Sequence, residues 1–334
     1  MLSPYFINNI WYEKNLLSLL LVPFSWLYQI FIFIRQLIYK AGILPVNQIG
    51  VPVIVIGNIT VGGAGKTPLV IWIVNYLKQN GFNPGVVSRG YGGQASHWPQ
   101  QVRTDSDPVM VGDEPVIIAK RTGCPVAASP DRYSAAIGLV EHKQCNIIIS
   151  DDGLQHYALG RNIEIAVIDS VRRFGNKHCL PAGPLREPVS RLKSVDMIVS
   201  NGLPGKGEHQ MEYTVDTLIS LKNENINCEF AALRNNKVHA VAGIGYPDRF
   251  FNLLKKHGLN IIEHPFPDHH IFKATDIKFD DGLAVVMTEK DAVKCSKFVD
   301  ENYWYLPIDV KMNNTFIHRL TILLKELENG QEAA

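Results

Sequence analysis

The sequence predicts an α/β fold in which a mostly parallel sheet is flanked by helices, with a second, smaller α/β domain after it. Short apolar runs rich in β-branched residues, such as 51–56 and 146–150, have the composition of buried parallel strands. Helical stretches such as 68–78 and 131–141 separate these runs, so successive strands are expected to form right-handed βαβ units.

The pattern of apolar and polar residues divides the chain into three predicted parts. We predict an N-terminal apolar helical segment over 1–45, a first α/β domain over 46–212 and a smaller α/β domain over 213–334. Residues 202–212 are polar and rich in glycine, as in a loop near a boundary. Within the smaller domain, 229–233 is predicted to be a strand.

The composition excludes several classes of protein. The chain has 334 residues, of which 46% are hydrophobic and 19% charged, and its formal net charge is +1. It contains no basic block of the kind that binds nucleic acid, so no nucleic-acid partner is predicted, and no feature predicts a protein partner. Five scattered cysteines without a CxxC pair favour reduced thiols and argue against a zinc site.

The N-terminal segment is more apolar than that of an ordinary soluble enzyme. No charged residue occurs from Asn15 to Ile34, and Lys14 and Arg35 bracket the run. Its length matches the roughly 20 residues that cross a bilayer core, although Pro23 and several polar residues lower its hydropathy. We expect membrane anchoring or deep interfacial insertion. The alternative is a helix packed on the globular body or on a partner.

A glycine-rich loop after the first predicted strand carries the strongest chemical signal. Its sequence, GNITVGGAGKT over 57–67, leads directly into a predicted helix. Glycines allow backbone N–H groups to converge on phosphate oxygens, and the helix N-terminus adds favourable partial charge. The order of strand, loop and helix predicts a P-loop NTPase-like domain that binds ATP and Mg²⁺, although Thr60 stands where the strict GxxxxGK[ST] pattern has glycine.

Individual residues of this loop have predicted roles. Lys66 is expected to reach the β- and γ-phosphates, and the Thr67 hydroxyl is expected to bind Mg²⁺. The residues predicted to bind the nucleotide are Thr60, Val61, Gly62, Gly63, Ala64, Gly65, Lys66 and Thr67. The alternative is a structural loop with an unrelated lysine.

Two adjacent acids end the apolar strand that precedes residue 153. Asp151 and Asp152 repel each other unless a cation or hydrogen-bond donors compensate them, which favours a metal site. We therefore predict that both acids and Thr67 hold Mg²⁺, without ranking the two acids. The alternative is a solvated turn or a helix cap.

Seven segments in order resemble the tetraacyldisaccharide 4'-kinase (lipid A 4'-kinase) family. They span most of the chain: GNITVGGAGKTP (57–68), SRGYGG (88–93), GDEP (112–115), DDGLQH (151–156), PAGPLREP (181–188), FPDHH (266–270) and TEKDAVK (288–294). The resemblance implies transfer of the ATP γ-phosphoryl group to the 4'-hydroxyl of a tetraacyl glucosamine disaccharide 1-phosphate, a lipid A precursor. It also implies a protein at the bacterial inner membrane, with its catalytic body on the cytoplasmic side.

The resemblance further implies a catalytic pair. In the family an Asp–His pair serves the sugar hydroxyl, and the matching residues are Asp113 of GDEP and His269 of FPDHH. A carboxylate can accept the proton of the hydroxyl while an imidazole orients it. Asp113 could instead cap the helix that follows it, and His270 is the less favoured neighbour of His269.

The remaining site residues are assigned by motif and chemistry. Arg89 is expected to clamp phosphate, because guanidinium groups bind phosphate oxygens in pairs. Gln155, His156 and Arg186 are expected to line the acceptor cleft, to which the smaller domain contributes. The alternative for Gln155, His156 and Arg186 is a solvated surface position. Thr288 and Asp291 have the spacing of a capping box, so the TEKDAVK segment is assigned no catalytic role.

Two other functions are compatible with the sequence. A membrane-associated P-loop ATPase that controls assembly would hydrolyse ATP without an acceptor. A non-catalytic, nucleotide-dependent membrane adaptor would tolerate replacement of Asp113 and His269. The ATPase alternative assigns no role to the GDEP and FPDHH segments.

Overall fold

The computed structural model describes residues 10–13 and 15–332. Its helices are α1 (Leu16–Lys40), α2 (Lys66–Gln79), α3 (Pro108–Val111), α4 (Asp113–Thr122), α5 (Arg132–Lys143), α6 (Phe230–Leu233), α7 (Pro247–Lys256), α8 (Ala274–Ile277), α9 (Glu289–Cys295) and α10 (Asn314–Glu332), with a 3-10 helix at Val189–Ser194. Its strands are β1 (Val53–Gly57), β2 (Pro84–Ser88), β3 (Gln100–Val102), β4 (Val126–Ala128), β5 (Ile147–Asp151), β6 (Ile163–Asp169), β7 (Met197–Asn201), β8 (His209–Thr214), β9 (Leu218–Ser220), β10 (Asn227–Cys228), β11 (Lys237–Ala242), β12 (Asn260–Pro265), β13 (Ala284–Thr288), β14 (Tyr303–Leu306) and β15 (Asp309–Met312).

The first sheet has nine strands in the order β15-β8-β7-β6-β1-β5-β2-β4-β3. Its central pairs are parallel, whereas β3 and β15 join the two edges in antiparallel orientation. We call this sheet with its helices the large lobe (residues 46–214 and 309–332). The strand that precedes the glycine-rich loop is central, because β1 lies between β5 and β6. The carboxyl ends of these parallel strands meet at one edge, where α/β proteins bind ligands.

Apolar residues bury both faces of the large sheet. On one face α2, α4 and α10 cover strand residues such as Ile54 and Ile56, and on the other α5 covers Val53 and Val55. Strand β1 is buried along its whole length, because alternate side chains enter the two cores. The predicted mostly parallel sheet flanked by helices is therefore confirmed.

The second sheet has six strands in the order β10-β9-β14-β13-β11-β12. Strands β14, β13, β11 and β12 are parallel, and β9 and β10 extend the edge in antiparallel orientation. We call this sheet with its helices the small lobe (residues 215–308). It has its own cores, centred on residues such as Phe251 and Leu254 on one face and Met287 and Phe272 on the other.

The chain does not divide between the lobes as the sequence pattern suggested. Strand β8 crosses the predicted boundary between residues 212 and 213 and belongs to the large sheet. The last strand, β15, returns to pair with β8, and α10 then packs on the large sheet. Every second residue of β15 is buried, which is a strand pattern. That pattern carries no information about the partner strand, which lies about a hundred residues earlier in the chain.

The strand predicted over 229–233 is wrong. These residues form the short helix α6, with Phe230 buried against the small sheet. A brief apolar run does not distinguish strand from helix by its periodicity, and the two alanines in the run favour the helix.

The packing of α10 on the large lobe is testable through Phe316, which is fully buried. We expect Phe316→Ala to lower the free energy of unfolding by about 3–5 kcal/mol, because it leaves a cavity between α10 and the sheet. Urea unfolding followed by circular dichroism measures the change. Glu326→Ala, at an exposed position of the same helix, is the control and should stay within about 0.5 kcal/mol of wild type. Equal effects of the two variants would contradict this packing.

Candidate active site

The glycine-rich loop runs from the end of β1 to the start of α2 and is tied to distant segments through its backbone. The hydrogen bonds that hold it include Val61 N to Pro184 O (2.8 Å), Arg172 Nη2 to Gly63 O (2.8 Å) and Asn201 Nδ2 to Ala64 O (3.3 Å). Thr60 also forms a β-bridge with Leu185. Distant segments of the chain therefore anchor the loop backbone.

Gly65 is required at its position for two reasons. Its φ of 91° lies in the left-handed region, which disfavours side chains. An added Cβ would also lie 2.3 Å from Tyr213 Oη and 2.8 Å from Asn201 Nδ2. The same residue is the N-cap of α2, so the first backbone N–H groups of the helix stay free of a side-chain cap.

Lys66 begins α2, and its side chain is only 9% exposed. Its Nζ lies 3.4 Å from Asp152 Oδ1 and 3.4 Å from Asn58 Oδ1. The predicted phosphate-binding lysine is thus held next to one acid of the predicted metal pair. Thr67 follows in the first turn of α2 and is half-buried.

Asp152 is compensated by two cations. Besides Lys66, Arg186 Nη1 donates to both carboxylate oxygens, at 2.9 and 3.1 Å. Burial raises the pKa of this carboxyl, but Lys66 and Arg186 outweigh it and hold the pKa below its usual range. Asp152 also has a positive φ of 49°, in the left-handed region that aspartate adopts more readily than most residues with a side chain. The turn after β5 therefore holds this carboxylate in one place.

Asp151 differs from its neighbour. Both of its carboxylate oxygens are buried and accept no hydrogen bond from any described residue. Burial, followed by the charge of Glu114, raises the pKa of this carboxyl to about 7. A buried carboxylate without a partner is costly, and a cation beside it would remove that cost.

The acid pair fits Mg²⁺. This ion is usually held by one or two carboxylates together with phosphate oxygens and water. In the described part of the chain, no group of three or more His, Cys, Asp or Glu side chains is arranged to hold a metal by itself. The donor set of Asp151, Asp152 and Thr67 thus suits an ion that a bound triphosphate also coordinates.

Gln155 and His156 follow the acid pair in a turn. Gln155 Nε2 donates to Glu187 Oε2 (2.7 Å) and to Asn58 O (3.0 Å), and its Oε1 lies 3.5 Å from Arg186 Nη1. Burial and the charges of nearby arginines lower the pKa of His156 to about 4, so its imidazole is neutral near pH 7. The structure therefore brings Gln155 and Arg186 together at the acids, with His156 uncharged nearby.

Asp113 and His269 come from different lobes and meet in the cleft between them. His269 Nδ1 lies 3.3 Å from Asp113 Oδ2, and the Asp113 side chain is 6% exposed. Burial alone raises the pKa of Asp113, but Lys290, His269 and Lys294 together hold it below its usual range. The pKa of His269 is raised, chiefly by its hydrogen bond to Asp113. Each group therefore favours the charged form of the other.

The alternatives for these two motifs are decided by local geometry. The N-cap of α4 is Gly112, so Asp113 is not the cap, and its Oδ1 accepts a hydrogen bond from Glu114 N (2.8 Å). His269 has a positive φ of 58°, and its Nδ1 lies near Asp113 Oδ2. His270 Nε2 lies 3.0 Å from Asp276 Oδ2 instead and is not part of the pair.

A cavity of about 540 Å³ adjoins this pair between the lobes. Among its lining residues are Tyr91, Asp113, His269, Phe272, Lys294 and Phe298. The Tyr91 ring lies 5.2 Å from the His269 ring, measured between centroids. The cleft thus offers aromatic and cationic surface beside the pair. Arg89, at the end of β2, is exposed, and its side chain makes no hydrogen bond to a described residue.

Sequence reasoning missed several residues that the structure brings to the site. Asn58 contacts Lys66, and Glu187 is buried among donors from Gln36, Tyr157 and Gln155. The position of Asn58 directly after β1 is a signal that was available in the sequence. The sequence contains no signal for the burial of Glu187. Acidic residues are mostly exposed, and only the tertiary fold shows that this one is not.

Comparison with known proteins decides the family. The family model described as "Tetraacyldisaccharide-1-P 4'-kinase" matches residues 17–325. A protein of Nitrosococcus oceani named tetraacyldisaccharide 4'-kinase is 51% identical over 316 residues, covering 95% of this chain and 93% of that protein. A Coxiella burnetii protein of the same name is 48% identical over 307 residues, covering 92% and 91% respectively. The chain belongs to the tetraacyldisaccharide 4'-kinase family.

The fold agrees with a solved structure of this 4'-kinase family. The crystal structure of LpxK from Aquifex aeolicus in complex with ATP superposes with a TM-score of 0.79 at 29% sequence identity. The match covers 93% of this chain and 99% of that one, so both lobes are included. The predicted family and fold class are confirmed.

The Asp113–His269 pair of this 4'-kinase family member is testable through the pKa of the imidazole. The hydrogen bond to Asp113 is the main cause that raises the pKa of His269, and burial lowers this pKa. We therefore expect Asp113→Asn to lower the pKa of His269. A histidine whose pKa is raised on folding stabilises the protein below its unfolded pKa of about 6.5, and that contribution is lost as the pH rises through the folded value. NMR titration of the histidines measures the shift, with His269→Gln identifying the resonance.

His156 is the internal control for that titration. Its low pKa is caused by burial and by Arg132 and Arg161, so Asp113→Asn should leave it unchanged. A His269 pKa that is the same in wild type and Asp113→Asn would contradict the ion pair.

Proposed function

We propose that this protein is a Mg²⁺-dependent kinase that transfers the γ-phosphoryl group of ATP to the 4'-hydroxyl of a tetraacyl disaccharide 1-phosphate, the lipid A precursor after which its relatives are named. The observation that carries the proposal is the Asp113–His269 pair in the interlobe cleft. Glu114, the neighbour of Asp113, lies close enough to Asp151 for its charge to raise the pKa of that acid. The acceptor and nucleotide sites therefore share one edge of the large sheet.

The phosphate end of the reaction is assigned to the loop and the acids. Backbone N–H groups of the loop residues 60–65 and the start of α2 bind the phosphates, and Lys66 neutralises their charge. Arg186 holds Asp152 in place, and Arg89 is free to contact a phosphate from the end of β2. Asp151, Asp152 and Thr67 would hold Mg²⁺, which would supply positive charge to the triphosphate.

The acceptor end is assigned to the Asp113–His269 pair. The 4'-hydroxyl oxygen attacks the γ-phosphorus, the bond to the bridging oxygen breaks, and ADP leaves. Asp113 accepts the hydroxyl proton, while His269 fixes the orientation of the carboxylate. Because the pKa of Asp113 is held low, the group is ionised and able to accept a hydrogen bond from the sugar. Gln155 and Arg186 lie at Asp152, and together with the nearby His156 they are assigned to substrate binding.

The surface of α1 supports a lipid-bound acceptor. This helix is long and apolar enough to cross a bilayer, and its buried residues are the polar Ser18 and Ser25. Ser18 Oγ donates to Ala182 O at 3.0 Å, whereas large side chains such as Leu27 and Phe31 are about two-thirds exposed. A helix on a water-soluble protein shows the opposite pattern, with its apolar face toward the body.

We therefore propose that α1 contacts the lipid of the bacterial inner membrane through its outer face. The catalytic body lies on the cytoplasmic side, where ATP is available. In this arrangement the acceptor reaches the cleft without leaving the bilayer surface. The reversed polarity of α1 is the observation that favours lipid over packing against the globular body.

The kinase activity is tested by incubating the detergent-solubilised protein with Mg·[γ-³²P]ATP and the tetraacyl disaccharide 1-phosphate. We expect labelled lipid with wild type and at least about 100-fold less with Asp113→Asn, because proton transfer is lost. Asp280→Asn, an exposed acid of the small lobe, is the control and should retain wild-type activity. Phosphate release that does not depend on the acceptor, without labelled lipid, would favour the ATPase alternative.

The membrane contact is tested by vesicle co-sedimentation of Leu27→Glu and Phe31→Glu. Each variant places a charge on the outer face of α1, at a cost of about 2.5–3.5 kcal/mol for a site at the bilayer centre. We expect less protein to sediment with phosphatidylethanolamine–phosphatidylglycerol vesicles. Ile226→Glu, an exposed apolar position of the small lobe, is the matched control and should sediment like wild type. Equal sedimentation of all variants would contradict a lipid contact.

A further inference from the structure

Helix α9, formed by the TEKDAVK segment, delivers two lysines from the small lobe to the first turn of α4 in the large lobe. Lys290 Nζ lies 2.8 Å from Glu114 Oε1. Lys294 Nζ lies 4.0 Å from Asp113 Oδ2 and 2.8 Å from Asp291 Oδ1. The segment that the sequence explained as a helix cap therefore also supplies cations to the catalytic motif GDEP.

These contacts are poorly screened by solvent. The side chains of Lys294 and Asp113 are 9% and 6% exposed, and those of Lys290 and Glu114 about one quarter. Lysines are rarely buried to this degree unless they are paired. Losing one partner of such a pair leaves the other charge partly buried and uncompensated.

Hydrogen bonds of Thr288 and Asp291 fix the start of α9 to the small lobe. Thr288 caps the helix, and its hydroxyl donates to Asp291 Oδ2 at 2.6 Å. The same carboxylate oxygen accepts a hydrogen bond from Gly243 N at 2.8 Å, which ties α9 to the end of β11. The fully buried Asp291 thus links the helix to the core of the small lobe. The positions of the two lysines are consequently set by the lobe as a whole.

The charges around Asp113 require these lysines. The groups that face it are Glu114 from its own helix, His269 and Asp268 from the loop after β12, and Lys290, Lys294 and Asp291 from α9. Burial disfavours the charged form of Lys290, but Glu114, Asp113 and Asp268 more than compensate and raise its pKa. The ammonium group is therefore charged at neutral pH. Without it, Glu114 and Asp268 would repel both the Asp113 carboxylate and an incoming triphosphate.

We propose that Lys290 is a positioning residue for phosphoryl transfer, which holds Glu114 and the first turn of α4 so that Asp113 faces His269. Lys294 completes the cationic side of the same arrangement. The inference rests on the roles proposed above for Asp113 and His269. Since the lysines and the acids belong to different lobes, the catalytic pair is complete only when the small lobe is seated against the large one.

The test compares steady-state kinetics of Lys290→Met, Lys290→Arg and a matched control. We expect Lys290→Met to lower kcat by about tenfold to a hundredfold, the range that misplacement of a reacting group produces, with the KM for ATP within about twofold of wild type. Lys290→Arg, which keeps the charge, should recover most of kcat. Glu224→Gln removes another interlobe ion pair of 2.8 Å, that with Lys120, and should leave kcat unchanged.

The pH profile separates positioning from a merely structural role. In Lys290→Met, Glu114 and Asp268 still repel the Asp113 carboxylate, so the acid limb of kcat should move to higher pH. The Glu224→Gln control should keep the wild-type profile. An unchanged kcat and an unchanged acid limb in Lys290→Met would overturn the inference.

The proposed roles of Asp113 and His269 and the proposed role of Lys290 can be contradicted separately. If Asp113→Asn and His269→Gln retain activity, the proposed roles of the pair are wrong. If both abolish activity while Lys290→Met behaves as wild type, only the inference is wrong. Should Lys290→Met not fold, as judged by its Tm, the double variant Glu114→Gln/Lys290→Met decides, because it removes both charges of the Lys290–Glu114 pair. A lowered kcat in the double variant supports the inference, and a wild-type kcat overturns it.

Discussion

Compensation of buried carboxylates is the constraint on which the site depends. Asp113 and Asp151 are buried and Asp152 is partly buried, all near one edge of the large sheet. Removing such an ion from water costs several kcal/mol unless opposite charge and hydrogen bonds replace the solvent. The compensating groups come from distant segments, with Lys66 and Arg186 at Asp152 and residues of the small lobe at Asp113. The arrangement of charges therefore forms only in the complete fold.

The segment 181–188 links the nucleotide loop to the apolar helix. Its backbone bonds to the loop at Val61, and Arg186 holds Asp152. On its other side it receives hydrogen bonds from α1, including Tyr28 Oη to Arg186 O (3.2 Å) and Gln36 Nε2 to Glu187 Oε1 (3.0 Å). Polar residues of α1 are used for this contact, which leaves the apolar face outward. One loop thus fixes the geometry of the acids and the orientation of the helix proposed to meet lipid.

The small lobe is inserted into the large one. The chain leaves the large sheet after β8 and returns to it at β15, and these two strands are paired. Both connections therefore run side by side, on the same edge of the large sheet. Through this insertion His269 and α9 reach the first turn of α4, although they lie more than 150 residues beyond Asp113 in the chain. The interlobe contacts at Asp113 follow from this path.

The sequence by itself determined the parallel sheet, the glycine-rich loop, the acid pair and the family, because these depend on local patterns: apolar runs, turn residues and contiguous motifs. The pairing of Asp113 with His269 came from resemblance, and its geometry from the structure. Only the tertiary structure decided that β15 and α10 belong to the large lobe, that Asp291 anchors α9, and that Lys290 meets Glu114. These features join residues far apart in the chain, and the short segments that form them, such as β15 or TEKDAVK, have equally good local explanations. The partner of each such segment is decided by the tertiary fold, which leaves particular charges without a counter-ion and particular apolar faces exposed until the segment packs there.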